Sequence, residues 1–195
     1  SISAVGSIIV GTIVAGIFGL IIGWMLLRLR SSYLALFTIA FSELFRIIMV
    51  TEFEYTRGIN GLRLRPLVEM SDPVAARNAG YYIMFFLLIA SLILMYIISQ
   101  SRIGLFLRAM REDEEAASSL GVNVIRYKIM IFVITSMIVG LAGGVYYSGV
   151  GAERVTPDAL RVLQMSLVIA YSVIGGMESL LGSAMGAFIA RYVLE

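Results

Sequence analysis

Residues 101–123 read SRIGLFLRAMREDEEAASSLGVN and are the only long polar helix candidate in a chain that is otherwise strongly apolar. The segment contains no proline, and its mixture of charged and apolar residues suits a helix outside a membrane. Gly121 follows the last expected turn, where glycine commonly ends a helix by adopting a left-handed backbone conformation. We therefore predict one helix over this segment, held in water between two membrane spans and open to a partner.

The composition of the chain excludes several classes of protein. Of 195 residues, 59% are hydrophobic and only 14% are charged, whereas soluble domains average about 25% charged residues. The absence of cysteine and histidine excludes disulfides, thiol chemistry and imidazole metal sites. Lys128 is the only lysine, so the Gly-Lys-Ser/Thr phosphate loop of an ATPase does not occur. We predict no metal site, no catalytic residue, no bound cofactor and, with a net charge of +2, no nucleic-acid partner.

Hydrophobic segments flank the polar segment on both sides, several of them close to the roughly 20 apolar residues that a spanning helix needs. They cover residues 1–27, 33–50, 80–98, 129–147, 164–174 and 180–194. Residues 51–79 and 149–163 are more polar and contain proline, which predicts loops outside the membrane. We predict an all-α, polytopic transmembrane helix bundle with about six hydrophobic segments, forming a single domain over residues 1–195. The serine start and the apolar end predict a piece of a longer protein, cut at both ends.

Small residues recur at four-residue spacing in two of the apolar segments. The first ladder consists of Ser3, Ser7, Gly11, Ala15, Gly19 and Gly23, and the second of Ser136, Gly140, Gly144 and Ser148. On membrane helices such ladders let two backbones approach closely. The alternative is that glycine is simply frequent in membrane helices. The regular spacing favours packing, and we predict helix contacts at Gly11, Gly19, Gly23, Gly140 and Gly144.

Two charged residues interrupt the second apolar segment. At 100° per residue, Glu43 and Arg46 fall on one polar arc of the helix with Thr38 and Ser42. An ionisable side chain at membrane depth costs roughly 2.5–3.5 kcal/mol on insertion scales and normally faces the inside of a bundle. One interpretation is an internal Glu43–Arg46 ion pair at i,i+3 spacing. The other is a polar lining of a translocation path, and the two interpretations are compatible.

The segment from Glu115 to Gly121 reads E-A-A-x-x-x-G and resembles the EAA loop of permeases in bacterial ATP-binding-cassette (ABC) importers. The longer block LRAMREDEEAASSLGVNVIRYK, residues 107–128, is similar to that loop in permeases of branched-chain amino-acid importers. Four more blocks resemble the same family in the expected order: LRLRSSYLALFTIAFSELFR at 27–46, TRGINGL at 56–62, TPD at 156–158 and GGMESLLG at 175–182. Arg57 and Glu178 stand where that family usually has glycine.

The resemblance implies a permease subunit of an ATP-driven importer, with no enzymatic activity of its own. Residues 101–123 would form a cytoplasmic coupling helix that contacts separate cytosolic ATPase subunits, which bind ATP-Mg. A second, homologous permease subunit and a periplasmic or extracellular substrate-binding protein would complete the complex in the inner or plasma membrane of a bacterium or archaeon. The implied coupling residues are Arg111, Glu112, Glu114, Glu115, Ala116, Ala117 and Gly121. The residues assigned to the translocation path are Thr38, Ser42, Glu43, Arg46, Asn60 and Gly61.

Other interpretations stay open at this point. A secondary transporter or channel would need titratable groups near the bilayer midplane, and only Glu43 lies clearly inside a span. An ABC permease for another small solute, such as a sugar, urea or an amide, fits the same motifs. The acidic run at residues 112–115 is also compatible with a solvated helix face that has no partner. Basic residues divide almost evenly between the two predicted sides, so the orientation rests on the EAA resemblance.

Overall fold

The computed structural model describes residues 3–26, 31–62, 64, 66–67, 72–150, 154–176 and 179–194, and the regular elements within these ranges are helices. The α-helices are α1 (Ala4–Leu26), α2 (Ser31–Thr51), α3 (Phe53–Thr56), α4 (Pro73–Gln100), α5 (Arg102–Glu112), α6 (Glu114–Ser119), α7 (Val124–Val145), α8 (Val162–Ile174) and α9 (Leu180–Leu194). Short 3-10 turns occur at Gly58–Asn60 and Pro157–Leu160, and α7 continues as a wider π turn over Tyr146–Val150. The predicted all-α class is confirmed. Glu178, which the family resemblance singled out, lies outside the described residues.

Each of the six predicted apolar segments contains a helix. Three stretches within the described ranges are long and apolar enough to cross a membrane: Ala4–Met25, Val74–Gln100 and Val124–Gly149. Helices α8 and α9 are apolar but shorter, with 13 and 15 residues. Many large apolar side chains on the long helices point outward, including Tyr82 at 67% exposure and Phe86 at 66%. This surface suits lipid or neighbouring membrane helices rather than water.

Helix α4 begins earlier than the sequence analysis predicts. The predicted start is residue 80, but the helix begins at Pro73 and runs 28 residues to Gln100. The Asp72 carboxylate accepts a hydrogen bond from the Val74 amide at 2.9 Å, and Pro73 occupies the first turn. Proline is favourable at that position because its missing N–H has no helical partner there. The proline that we read as a loop residue therefore starts the helix.

The chain divides into two compact units. Unit 1 contains residues 1–35 and 63–153, and unit 2 contains residues 36–62 and 154–195. Helices α1 and α4 to α7 belong to unit 1, whereas most of α2, together with α3, α8 and α9, belongs to unit 2. The EAA-like block therefore lies in unit 1, while the TRGINGL, TPD and GGMESLLG blocks lie in unit 2. The prediction of one membrane domain over the whole chain stays a prediction.

Unit 1 is built on an antiparallel pair formed by α1 and α7. A side-chain carbon placed on Gly19 would lie 2.6 Å from the Ser136 hydroxyl, and one on Gly140 would lie against the Ala15 methyl group. Gly144 faces Ile8 in the same way, which fixes the antiparallel register. The two small-residue ladders therefore form one interface, and the close approach depends on the missing side chains.

Gly11 is an exception to the predicted packing stripe. A side-chain carbon built on Gly11 meets no described atom within 4 Å, and the residue is exposed. The reason is helix geometry, since each four-residue step turns about 40° around a helix with 3.6 residues per turn. A ladder that places Gly19 and Gly23 in buried positions has rotated to the edge of the interface by Gly11, whose carbonyl oxygen still lies 3.7 Å from a side-chain carbon built on Gly140. A helix-packing role for Gly11 stays a prediction.

Unit 2 contains a tight apolar hairpin made by α8 and α9. The Gly175 backbone at the end of α8 lies against Gly182 and Gly186 of α9, so a side chain at these positions would collide with backbone atoms. Ala190, near the end of α9, is one of the few buried apolar residues of the chain. Gly175 and Gly182 of the GGMESLLG block, with Gly186, therefore allow the two short helices to pack closely.

Candidate functional site

The polar segment between α4 and α7 consists of two helices rather than one. Asp113 separates α5 from α6, with an extended backbone at φ −152° and ψ 110°. Its carboxylate accepts hydrogen bonds from the amides of Glu115 and Ala116, both at 2.9 Å. Aspartate stabilises a helix N-terminus in this way but is a poor residue inside a helix. The prediction of one continuous helix was wrong because it treated Asp113 as an interior residue.

Helix α6 ends in a Schellman motif. The Gly121 amide donates to the Ser118 carbonyl at 2.9 Å, and the Val122 amide donates to the Ala117 carbonyl at 3.2 Å. Gly121 has φ +86°, the left-handed conformation that this motif requires and that glycine adopts without strain. The predicted helix stop at Gly121 is therefore confirmed. Helix α6 has six residues, and both of its ends are fixed by specific hydrogen bonds.

A small apolar cluster holds α6 against its neighbours. Ala117 is 3% exposed and packs with Met110 of α5 and Val124 of α7, and Val122 and Tyr127 cover the cluster. The family resemblance implies that Ala116 and Ala117 both take part in coupling. Only Ala116 is exposed, because the Ala117 methyl group points into this cluster. Ala117 thus acts on a partner only by positioning α6.

The glutamates of the segment differ in their contacts. Glu112, Glu114 and Glu115 are all exposed, as is Arg111. Glu114 also accepts a hydrogen bond from the Lys128 ammonium group at 2.6 Å and so ties α6 to the first turns of α7. The sequence analysis missed this pair, since a separation of 14 residues gives no periodic signal. Within the described ranges no three acidic residues gather into a metal site.

The second candidate region lies in unit 2, on the polar arc of α2. The Arg46 Nε group donates to both carboxylate oxygens of Glu43 at 3.0 Å, which confirms the predicted i,i+3 pair. The side chains are 24% and 34% exposed, respectively. A second ion pair joins Arg161 and Asp158 at 2.8 Å. Thr38 and Ser42 lie half-buried on the same helix, and their role in a translocation path stays a prediction.

The TRGINGL and TPD blocks meet in unit 2. Leu62 and Val155 form an antiparallel bridge with backbone hydrogen bonds of 3.1 and 2.9 Å. Arg154 donates a hydrogen bond to the Asn60 carbonyl at 3.3 Å, and Gly61 is buried against Val155. The two blocks are about 95 residues apart in the sequence, and these contacts join their loops. Asn60 and Gly61, which the sequence analysis assigned to the translocation path, have a structural role in this contact between loops.

The backbone of Arg57 has a strained, left-handed conformation in this loop. It is the only non-glycine residue with positive φ among the described residues, at φ 58° and ψ 15°. The left-handed conformation costs a residue with a side chain roughly 1–2 kcal/mol. We expect Arg57→Gly to raise the free energy of unfolding by about 1 kcal/mol, measured by thermal or denaturant unfolding of the full-length protein. Arg57→Ala is the matched control, because it removes the charge but keeps the strain. Equal stability of the two variants would contradict this account.

A comparison with protein families shows where the chain belongs. A family model described as the permease component of the branched-chain amino acid transport system matches residues 2–195. The chain belongs to this family. The resemblance that the ordered motifs indicated is therefore confirmed. No solved structure gave a significant match to the chain.

Individual relatives include permeases for two kinds of solute. The high-affinity branched-chain amino acid transport system permease protein LivM of Escherichia coli is 29% identical over 191 residues, which cover 86% of this chain and 44% of LivM. The xylose transport system permease protein XylH of E. coli is 33% identical over 100 residues, or 49% of this chain and 25% of XylH. The ribose import permease protein RbsC of Haemophilus influenzae is 24% identical over 95% of this chain and 57% of RbsC. The chain thus spans less than half the length of LivM.

Proposed function

We propose that this chain forms part of the transmembrane pathway of an ATP-driven importer for branched-chain amino acids. Its partners are separate cytosolic ATPase subunits that bind ATP-Mg, a second homologous permease subunit and an external substrate-binding protein. The complex lies in the inner or plasma membrane of a bacterium or archaeon. The match to LivM, at 29% identity over 86% of the chain, supports the amino-acid substrate, whereas XylH matches only half of the chain and RbsC matches most of it at 24% identity.

The observation that carries this proposal is the construction of α6. The helix is capped by Asp113 at one end and by the Gly121 motif at the other, so its shape is fixed. Its outer face presents Glu115 and Ala116 to solvent, while its inner face is joined to the start of α7. A rigid exposed element attached to a candidate span transfers displacement from an ATPase to the membrane helices. Small shifts of packed helices are a recognised way to switch between conformations.

The polar arc of α2 supports a role for unit 2 in the pathway. Glu43 and Arg46 neutralise each other, so the pair is tolerated in an apolar helix and still offers polar atoms to a passing zwitterion. Asp158 and Arg161 form a second ion pair in unit 2 and add polar groups from another element. We assign these residues, with Thr38 and Ser42, to the pathway.

We expect Glu43→Ala to lower both the amount of folded protein and transport, because it leaves Arg46 without its partner. The double variant Glu43→Leu/Arg46→Leu removes both charges and should recover the folded protein. If the pair lines the pathway, transport by the double variant stays low at parental expression. Parental transport by the double variant would show that the pair is only structural. Expression is measured by fluorescence-detected chromatography and transport by radiolabelled uptake.

One reconstitution experiment tests the function itself. The full-length permease is placed in proteoliposomes with its co-purifying ATPase and binding protein, and ATP hydrolysis is measured with leucine, xylose or ribose. Stimulation of hydrolysis and uptake by leucine supports the proposal. Stimulation by a sugar alone contradicts the proposed amino-acid substrate but agrees with the proposed ATP-driven mechanism. Uptake that continues without ATP and collapses with the proton gradient indicates a secondary transporter and contradicts the mechanism.

A further inference from the structure

A groove in unit 1 lies where two candidate spans end. It has a volume of about 550 Å³, and it is lined by residues of α5, of α7 and of the turn between α6 and α7. The span of α4 ends at Gln100, just before α5 begins, and the span of α7 begins at Val124. The groove is therefore close to the membrane surface that these two spans predict, within reach of lipid headgroups.

The wall formed by α7 changes from polar to apolar along the helix. Asn123, Arg126 and Met130 line the groove and lie on one face of α7, because residues three and four apart are neighbours on a helix. Asn123 caps the start of α7, and Met130 lies further into the candidate span by about 10 Å at 1.5 Å per residue. A phospholipid has the same order, with a polar headgroup outside and an acyl chain inside.

Helix α5 supplies a second, apolar wall. Ile103 and Phe106 are half-buried and line the groove. The centroids of the Phe106 and Tyr127 rings are 5.2 Å apart, so these rings join the two walls. Leu120 lines the groove from the turn after α6 and is 86% exposed, more than any other large apolar side chain in the described ranges. An acyl chain would cover this apolar surface, which water covers poorly.

Arg126 determines the charge of the groove. Its side chain is exposed, and it is the one charged residue that lines the groove in the described part of the chain. Arg102, the first residue of α5, is also exposed and directly precedes Ile103. A guanidinium group can bind a phosphate through two parallel hydrogen bonds, which makes arginine a favourable phosphate ligand.

The acidic residues at the end of α5 and the start of α6 do not line the groove. Among the described residues these are Glu112, Asp113, Glu114 and Glu115. The Asp113 carboxylate accepts hydrogen bonds from two amides of α6. The Glu114 carboxylate is paired with the Lys128 ammonium group. Both of these carboxylates are therefore engaged by groups outside the groove.

The other two carboxylates lie on different helix faces from the groove. Glu112 follows Ile103 by nine residues, which places it about 180° around α5 at 100° per residue. Glu115 precedes the buried Ala117 by two residues, which places it on the opposite side of α6. The groove is therefore net positive and favours an anionic lipid headgroup over a zwitterionic one.

We propose that this groove binds one anionic phospholipid, with its phosphate at Arg126 and an acyl chain against Ile103 and Met130. The inference requires α4 and α7 to cross a membrane, but it depends on neither the transported solute nor the ATPase. A lipid in this position would contact both α5 and α7. Because a ligand that binds only the folded state stabilises that state, the lipid should raise the melting temperature of the full-length protein.

The test is native mass spectrometry of the full-length protein in detergent, titrated with phosphatidylglycerol or with phosphatidylcholine of the same chain length. The parent should bind the first phosphatidylglycerol about ten-fold more tightly than phosphatidylcholine, the effect of one charge-assisted hydrogen bond. Arg126→Gln should lose this preference, whereas Arg126→Lys keeps the charge and should retain most of it. Ile103→Ser should weaken both lipids alike, by about five-fold, because it removes apolar contact but no charge.

Arg77→Gln is the matched control for the loss of one positive charge. Arg77 is an exposed arginine near the start of α4, at the other end of that helix from the groove, and it does not line the groove. This variant should therefore bind both lipids like the parent. Its melting temperature should also rise with phosphatidylglycerol, whereas that of Arg126→Gln should not.

Each outcome either supports or contradicts the lipid site. A preference that is lost only in Arg126→Gln, with an unchanged melting temperature before lipid is added, supports it. Equal affinity of the parent for the two lipids contradicts it, as does an equal preference in Arg126→Gln and Arg77→Gln. Displacement of the lipid by inorganic phosphate at the same concentration would indicate a site for the free anion and contradicts the lipid. The importer assignment is unaffected by any of these results, because reconstitution tests it separately.

Discussion

Replacement of Gly121 by valine is expected to uncouple ATP hydrolysis from transport. Gly121 has φ +86°, and a side-chain carbon at this position meets no described atom within 4 Å, so the effect arises from the backbone alone. The left-handed conformation costs roughly 1–2 kcal/mol, and a β-branched residue lies at the upper end. A cost of this size lowers the ratio of correctly ended α6 to α6 without this turn by about 5- to 30-fold. We expect the ratio of solute transported to ATP hydrolysed in proteoliposomes to fall by up to that factor.

The matched variant for this experiment is Gly121→Asn. Asparagine adopts the left-handed conformation more readily than any β-branched residue, so the Schellman hydrogen bonds should survive. Coupling by Gly121→Asn should therefore remain close to that of the parent. A normal transport ratio in Gly121→Val, or an equal loss in both variants, would contradict the assignment of this turn to coupling.

Replacement of Gly19 by leucine is expected to separate α1 from α7 and to destabilise unit 1. A side-chain carbon on Gly19 would lie 2.6 Å from the Ser136 Oγ atom and 2.7 Å from its Cβ atom. Such overpacking typically costs about 1–3 kcal/mol. Leucine adds three carbons beyond the first, so the cost at this site is at least of that size. The measurement is the melting temperature and the monodisperse yield of the full-length protein in detergent. Both should fall clearly below those of the parent.

Gly11 supplies the control on the same helix. Because a side-chain carbon at Gly11 points into open space, Gly11→Leu should melt close to the parent in detergent. The milder Gly19→Ala variant provides a rescue experiment, since Ser136→Gly removes the atoms that its methyl group would meet. The pair should be more stable together than Gly19→Ala alone. Equal melting temperatures for Gly11→Leu and Gly19→Leu would contradict the α1–α7 interface.

The features that could be predicted from the sequence depend on local pattern. Apolar runs located every membrane-type helix, and the i,i+3 spacing of Glu43 and Arg46 predicted a pair that the structure contains. Gly121 was recognised because the left-handed helix stop is a property of one residue. These predictions need no knowledge of what lies across the fold.

The features that were missed involve residues that suit two different local structures, or contacts between residues far apart in the sequence. Asp113 and Pro73 each suit a helix start and a loop, and only the surrounding hydrogen bonds decide between them. The contact between Lys128 and Glu114 and the exposure of Leu120 follow from how α6 folds back on α7. The drift of the small-residue ladder at Gly11 follows from helix geometry once the partner helix is known. No periodicity in the sequence reports these relations.

The separation of α5 from α6 at Asp113 affects which helices a displacement of α6 would move. Helix α5 ends at Asp113, a single extended residue before α6, whereas α6 is joined to α7 by the Lys128 ammonium group and by packing at Val124. Helix α7 has 22 residues, so it is a rod about 33 Å long at 1.5 Å per residue. Helix α1 packs closely against α7, so the two helices would move together as one rigid pair. A displacement of α6 would thus reach the far end of α7 directly, and it would also act on α5, whose Met110 packs in the same cluster.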